Sequence, residues 1–199
     1  MTIPKKMKNK LNKNRDYRNF KSFEIRADKE NEELYVEGKA CSFDEPTILY
    51  SFNGVDYKEQ IDSKAFEDAE MEDVIFNYNH GGKVVARTRN DTLELNVKGD
   101  GLYVEARLDG TEEGRKLYEE IKGGYVDRMS FAFSVQEDSY DTEKHLRTVR
   151  RIKRLYDVSA VDIPAYDSTS IAARSLKELE EEKLKVKKRK KKLLLLTKI

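Results

Sequence analysis

The chain has 199 residues, 39% of them charged and 38% hydrophobic, and its 39 Lys and Arg almost balance 38 Asp and Glu for a net charge of +1. That length fits one domain with tails, since domains cluster near ~100–150 residues. One cysteine, Cys41, excludes an internal disulfide framework and fits a reducing cytosol. The lysines at the start lack the apolar segment of a secretory signal, and the leucines at 193–196 fall far short of the ~20 apolar residues of a membrane helix, so no membrane contact is expected.

The basic charge gathers at the two ends. Residues 1–19 read as a flexible basic arm, 20–174 as the folded domain, and 175–199 as a charged, helical, basic tail. From Phe20 onward the pattern alternates. Phe23 and Ile25, then Leu34 and Val36 running on to Phe43, predict two half-buried strands, which Asp44-Glu45-Pro46 ends. Residues 48–52 and 57–61 predict a hairpin about Asn53-Gly54, the strongest two-residue turn signal. Asp62-Ser63 predict the cap of a short helix with Ala65, Phe66 and Ala69 inward.

Residues 74–80 predict a strand ending in Asn79-His80, with Gly81-Gly82 as its turn. Strands over 84–87, 93–97 and 102–108 follow. Thr111 with Glu112 and Glu113 predicts a helix start, and Gly123-Gly124 its end. A strand carrying Met129-Ser130-Phe131 comes next, then a polar loop over 137–144. A last long strand runs from His145 to Ile163, before Pro164. About nine strands and two or three helices predict a mainly β domain. Its expected form is a closed or nearly closed antiparallel barrel with helices packed outside.

Several chemistries drop out. Gly81-Gly82-Lys83 resembles the end of a phosphate loop, but Asn77 stands where the first glycine is required. No Cys-x-x-Cys or His-Glu-x-x-His pattern exists, and two histidines with one cysteine make a poor zinc set, so neither metal nor cofactor is expected. Only His80 and His145 could act as an imidazole base. His145 reads as a loop residue between strands. His80 ends an apolar strand beside glycines that allow close approach. Ser130, at a strand start, needs such a base to become a nucleophile, and the base needs an acid to orient it. Asp157, in Tyr156-Asp157-Val158-Ser159, is a carboxylate within an apolar strand and needs a partner there. Asp127 and Asp162 lie at a turn and a strand end and suit the role less well.

These residues carry a resemblance. Asn79-His80 after an apolar strand, Arg128-Met129-Ser130-Phe131-Ala132-Phe133, and Asp157-Val158-Ser159-Ala160-Val161-Asp162-Ile163-Pro164-Ala165-Tyr166 resemble the prohead proteases of tailed phages. Gly38-Lys39-Ala40-Cys41-Ser42-Phe43 and Ile61-Asp62-Ser63-Lys64-Ala65-Phe66 add to it, so the likeness spans about residues 23–174. The resemblance implies a barrel like that of the herpesvirus assemblins and a serine protease with His80 and Ser130 in its site. The family's acid before Val-Ser is usually glutamate, where this chain has Asp157. In the viral relatives the third member is histidine, which leaves His145 as the alternative. Glycine is common where Ala132 stands. The implied substrates and partners are the major capsid protein with its scaffold segment and other procapsid proteins, met inside the procapsid in the host cytoplasm. Self-cleavage of the tails and self-association are compatible with this. The competing reading is a non-catalytic scaffold or nucleic-acid-binding barrel using the arginines at 147–154. Their lack of interleaved aromatics makes nucleic acid the weaker partner.

Overall fold

The strand Leu146–Val161, 16 residues long, is the axis on which the molecule is assembled. A computed structural model describes residues 16–20, 23–28, 33–52 and 54–162, all within the unit Met1–Asp167. Among the described residues the strands are, in chain order, β1 (Asp16–Phe20), β2 (Phe23–Asp28), β3 (Glu33–Ser42), β4 (Thr47–Phe52), β5 (Val55–Ile61), β6 (Ile75–Tyr78), β7 (Gly81–Arg87), β8 (Leu93–Lys98), β9 (Gly101–Arg107), β10 (Arg128–Asp141) and β11 (Leu146–Val161), with an α-helix, α1 (Glu112–Lys122), before β10. A 3-10 turn covers Thr88–Asn90.

The strands form two sheets. The larger has seven, ordered β1-β10-β11-β5-β4, with β6 on β11 and β7 on β6; the smaller is β2-β3-β9-β8. The expected closed barrel is not formed. β11 takes β10 along its whole length on one side, while on the other β5 pairs with Leu146–Val149 and β6 with residues 157–160, both in parallel. A strand shared between successive partners leaves edges, among the described residues, at β1, β4 and β7, and a bridge between Phe43 and Ile61 links the second sheet to the first. The expected all-antiparallel pairing fails at the same place.

Two further expectations change. Residues 62–69 are a series of turns rather than a helix, because their main chain is claimed by β11. Asp62 N–H donates to Val149 O at 2.9 Å, and Ala65 O accepts from Ile152 N–H at 2.8 Å. The predicted loop at 137–144 is mostly strand, since β10 continues to Asp141 and pairs it with Leu146. At the start, residues 16–19 of the expected arm belong to β1, whose Arg18 is buried against Glu59. The expected tail, the strand end at Ile163-Pro164 and Asn53 of the hairpin lie outside the described residues.

Alternation on β10 builds the core and places the site. Met129, Phe131 and Phe133 are fully buried on one face, the last two with ring centroids 5.0 Å apart. Each such side chain stabilises the fold by about 1.5–3 kcal/mol. Ser130 and Ala132 are thereby held on the opposite face. Helix α1 is capped as the sequence predicts: Thr111 Oγ1 accepts from Gly114 N–H at 2.9 Å, and Leu117, Tyr118 and Ile121 face inward.

Candidate active site

Three neighbouring strands meet in one row of polar side chains. On β10, Ser130 is paired directly with Ser159 of β11, and Ser159 with Asn77 of β6. Asp157, two residues before Ser159, lies on the same face and opposite Ala132. A β-bulge follows at once, because Phe133 pairs with Leu155 and skips Tyr156. Such a bulge re-aims the side chains beside it. Ser130 and Ser159 are fully buried, and Asp157 is 4% exposed.

His80 arrives from a turn rather than a strand. Asn79 and His80 are the two central residues linking β6 to β7, with Tyr78 paired to Gly81. Both have positive φ, 50° and 54°, as the two-residue hairpin turn with matching twist requires. Gly81 and Gly82, expected to form the turn, instead begin β7. A left-handed residue other than glycine stores roughly 1–2 kcal/mol, and the surroundings hold it. Asn79 N–H donates to Ala160 O at 2.9 Å, Asn79 Oδ1 accepts from Asp162 N–H at 3.3 Å, and Tyr78 O–H donates to Asp162 Oδ2 at 2.7 Å. The hydrogen bond to Asp162 is the main cause that raises the Tyr78 phenol above its ordinary pKa. The glycines with Tyr78 and Leu117 border a cavity of about 470 Å³ beside the turn.

The turn places the imidazole between hydroxyl and carboxylate. His80 Nε2 is 2.6 Å from Ser130 Oγ, and His80 Nδ1 is 2.6 Å from Asp157 Oδ1. With Nδ1–H donating to the carboxylate, Nε2 is left to accept the hydroxyl proton. An arrangement of this kind can draw a proton from an alcohol and steady the cation that results. Residues 21–183 match the sequence pattern of the caudovirus prohead serine proteases. The chain belongs to that family.

The fold of this prohead protease is also similar to a solved one, that of the bacteriophage T4 capsid assembly protease, gp21. The TM-score is 0.55 at 17% identity, over 76% of this chain and 98% of that one. No curated protein sequence matches it. Of the three residues named from the sequence, His80 thus contacts both Ser130 and Asp157. His145 is not with them. It sits in the turn joining β10 to β11, with its ring 5.0 Å from that of Tyr57. Asp141, beside that turn, lies eleven residues along β10 from Ser130, on the order of 36 Å at ~3.3 Å per residue. Arg128 lies two residues before Ser130 on the same face, whereas Arg151 pairs with Glu137 farther along β10. Ser159 and Asn77 carry no mark in the sequence beyond being polar within apolar strands. Among the described residues no group of His, Cys, Asp or Glu is placed to hold a metal ion, and no helix is long and apolar enough to cross a membrane.

Proposed function

We propose that this protease cuts peptide bonds by attack of Ser130 Oγ, with His80 taking the proton at Nε2 and Asp157 holding Nδ1–H. The observation that carries the reading is the imidazole bridging Oγ and Oδ1 with 2.6 Å on either side. His80 returns the proton to the leaving amine, and water repeats the cycle on the acyl-enzyme. The oxyanion needs donors already aimed at it, each worth roughly 3–4 kcal/mol. Residues 129–133 of β10 have ladder partners on both sides, in β1 and in β11. Their amides are directed into the sheet, which favours the Arg128 guanidinium as a donor.

The protease acts inside the procapsid on the scaffold segment of the major capsid protein and on other proteins enclosed with it, and it trims its own basic ends. Co-expression of capsid protein with Ser130→Ala should leave the capsid precursor at full length. Normal cleavage would refute the assignment of Ser130. Intact masses of the parent and Ser130→Ala chains should differ by the trimmed ends, and a difference of only the one oxygen atom that the substitution removes rejects self-trimming.

A further inference from the structure

The middle of the polar row belongs to Ser159, to which the triad gives no part. Its Oγ lies 2.9 Å from Asp157 Oδ1 and 3.1 Å from His80 Nδ1, and it is also hydrogen-bonded to Asn77 Oδ1. Ser159 is fully buried and Asn77 is 4% exposed. A hydroxyl has one proton, yet two acceptor oxygens face this one, while the Nδ1 hydrogen of His80 is directed at Asp157. Turning the Asn77 amide over exchanges its oxygen for an NH2 group at no change of shape. Asn77 then donates to Ser159 Oγ, and the Ser159 proton is free for Asp157.

We propose that Ser159 is a positioning residue for Asp157, and through it for His80, with Asn77 fixing the direction of the Ser159 hydroxyl. The terminal torsion of an aspartate is broad and sets no carboxylate plane by itself. The His80 contact supplies one fixed point on that plane. Ser159 supplies a second, on the same oxygen, from the neighbouring position of the same strand face. The inference deepens the triad reading and rests on it.

The test is steady-state hydrolysis of a capsid-derived peptide by the full chain, with labelling of Ser130 by a serine-reactive phosphonate alongside. Ser159→Ala should lower kcat about 10–100-fold, the effect of a small misplacement of a catalytic group, with KM unchanged within about twofold. It should still be labelled, more slowly. Ser159→Thr, which keeps the hydroxyl, should recover most of the lost rate. Asn77→Ala should lose less, and the double variant should be no worse than Ser159→Ala, because Asn77 acts through Ser159. The low-field NMR resonance of the His80 Nδ1 proton should move or weaken in Ser159→Ala. Parental kcat and resonance in Ser159→Ala would overturn the proposal, as would additive losses for Ser159 and Asn77. If Ser159→Ala unfolds, Asn77→Ala and Ser159→Thr decide through the same kcat and resonance readings. Full activity in Ser130→Ala sinks the triad itself, an outcome separate from all of these.

Discussion

Ala132 and Asp157 face each other across β10 and β11. They stand where the resemblance to prohead proteases implies a common glycine and a usual glutamate. Asp157→Glu inserts one methylene, about 1.5 Å of chain, between a fixed backbone and an imidazole already 2.6 Å away. Ala132 is fully buried and Asp157 is 4% exposed, so the addition has no solvent to move into. Overpacking of that kind destabilises by about 1–3 kcal/mol, and displacing His80 should lower kcat about 100-fold. Ala132→Gly removes one carbon from the facing position at about 0.5–1 kcal/mol. The double variant should therefore regain kcat to within about tenfold of the parent, with a coupling of roughly 0.5–3 kcal/mol. Peptide hydrolysis and urea unfolding of all four proteins complete the cycle. Full activity in Asp157→Glu alone, or no gain on adding Ala132→Gly, refutes the coupling.

Glu59 should be the most sensitive charge outside the site. Only 3% exposed, it accepts from Arg18 at 2.7 Å and Arg147 at 3.0 Å. Removing one partner of such a cluster costs about 3–5 kcal/mol, so Glu59→Ala should lower Tm by about 6–20 °C on a calorimetric scan; a fall under ~2 °C rejects it. His80→Gly should resist urea about 1–2 kcal/mol better than His80→Ala, because only glycine relaxes the left-handed turn, though both lose activity. The two hydrogen bonds from Arg87, 2.6 and 2.9 Å long, hold the Asp73 carboxyl below its ordinary pKa. Their contribution is present above the ordinary value of about 3.9 and is lost as pH falls through the lower folded one. The stability deficit of Asp73→Asn should accordingly be full at neutral pH and shrink below pH ~4; a deficit constant with pH contradicts this.

How far the site was legible follows from which residues are scarce. With two histidines in the chain, chemistry alone narrowed the base to His80 or His145, and Ser130 and Asp157 were singled out as the hydroxyl and the carboxylate that such a base needs. What hid Ser159 and Asn77 is that their meaning is cross-strand: Ser159 and its partner Asn77 are 82 positions apart in sequence. Alternation tells which face a side chain takes and says nothing about which strand lies beside it. For that reason the parallel joins of β11 to β5 and β6, and with them the open sheet, were not foreseen. The residues at 62–69 carried a helix cap, but tertiary hydrogen bonds to β11 outweighed a segment of only eight residues. At the hairpin, glycines drew the turn two positions too late. What holds the turn at Asn79 and His80 is the pairing of Tyr78 with Gly81 and the hydrogen bonds of Asn79 to Ala160 and Asp162, which no local propensity encodes.

The seating of the imidazole between Oγ and Oδ1 bears on timing. All three groups are in place once β10, β11 and the hairpin have folded, so their arrangement leaves no slack to serve as a trigger. On the proposed reading, what limits cutting is then which chains come within reach of Ser130 rather than repair of an incomplete site.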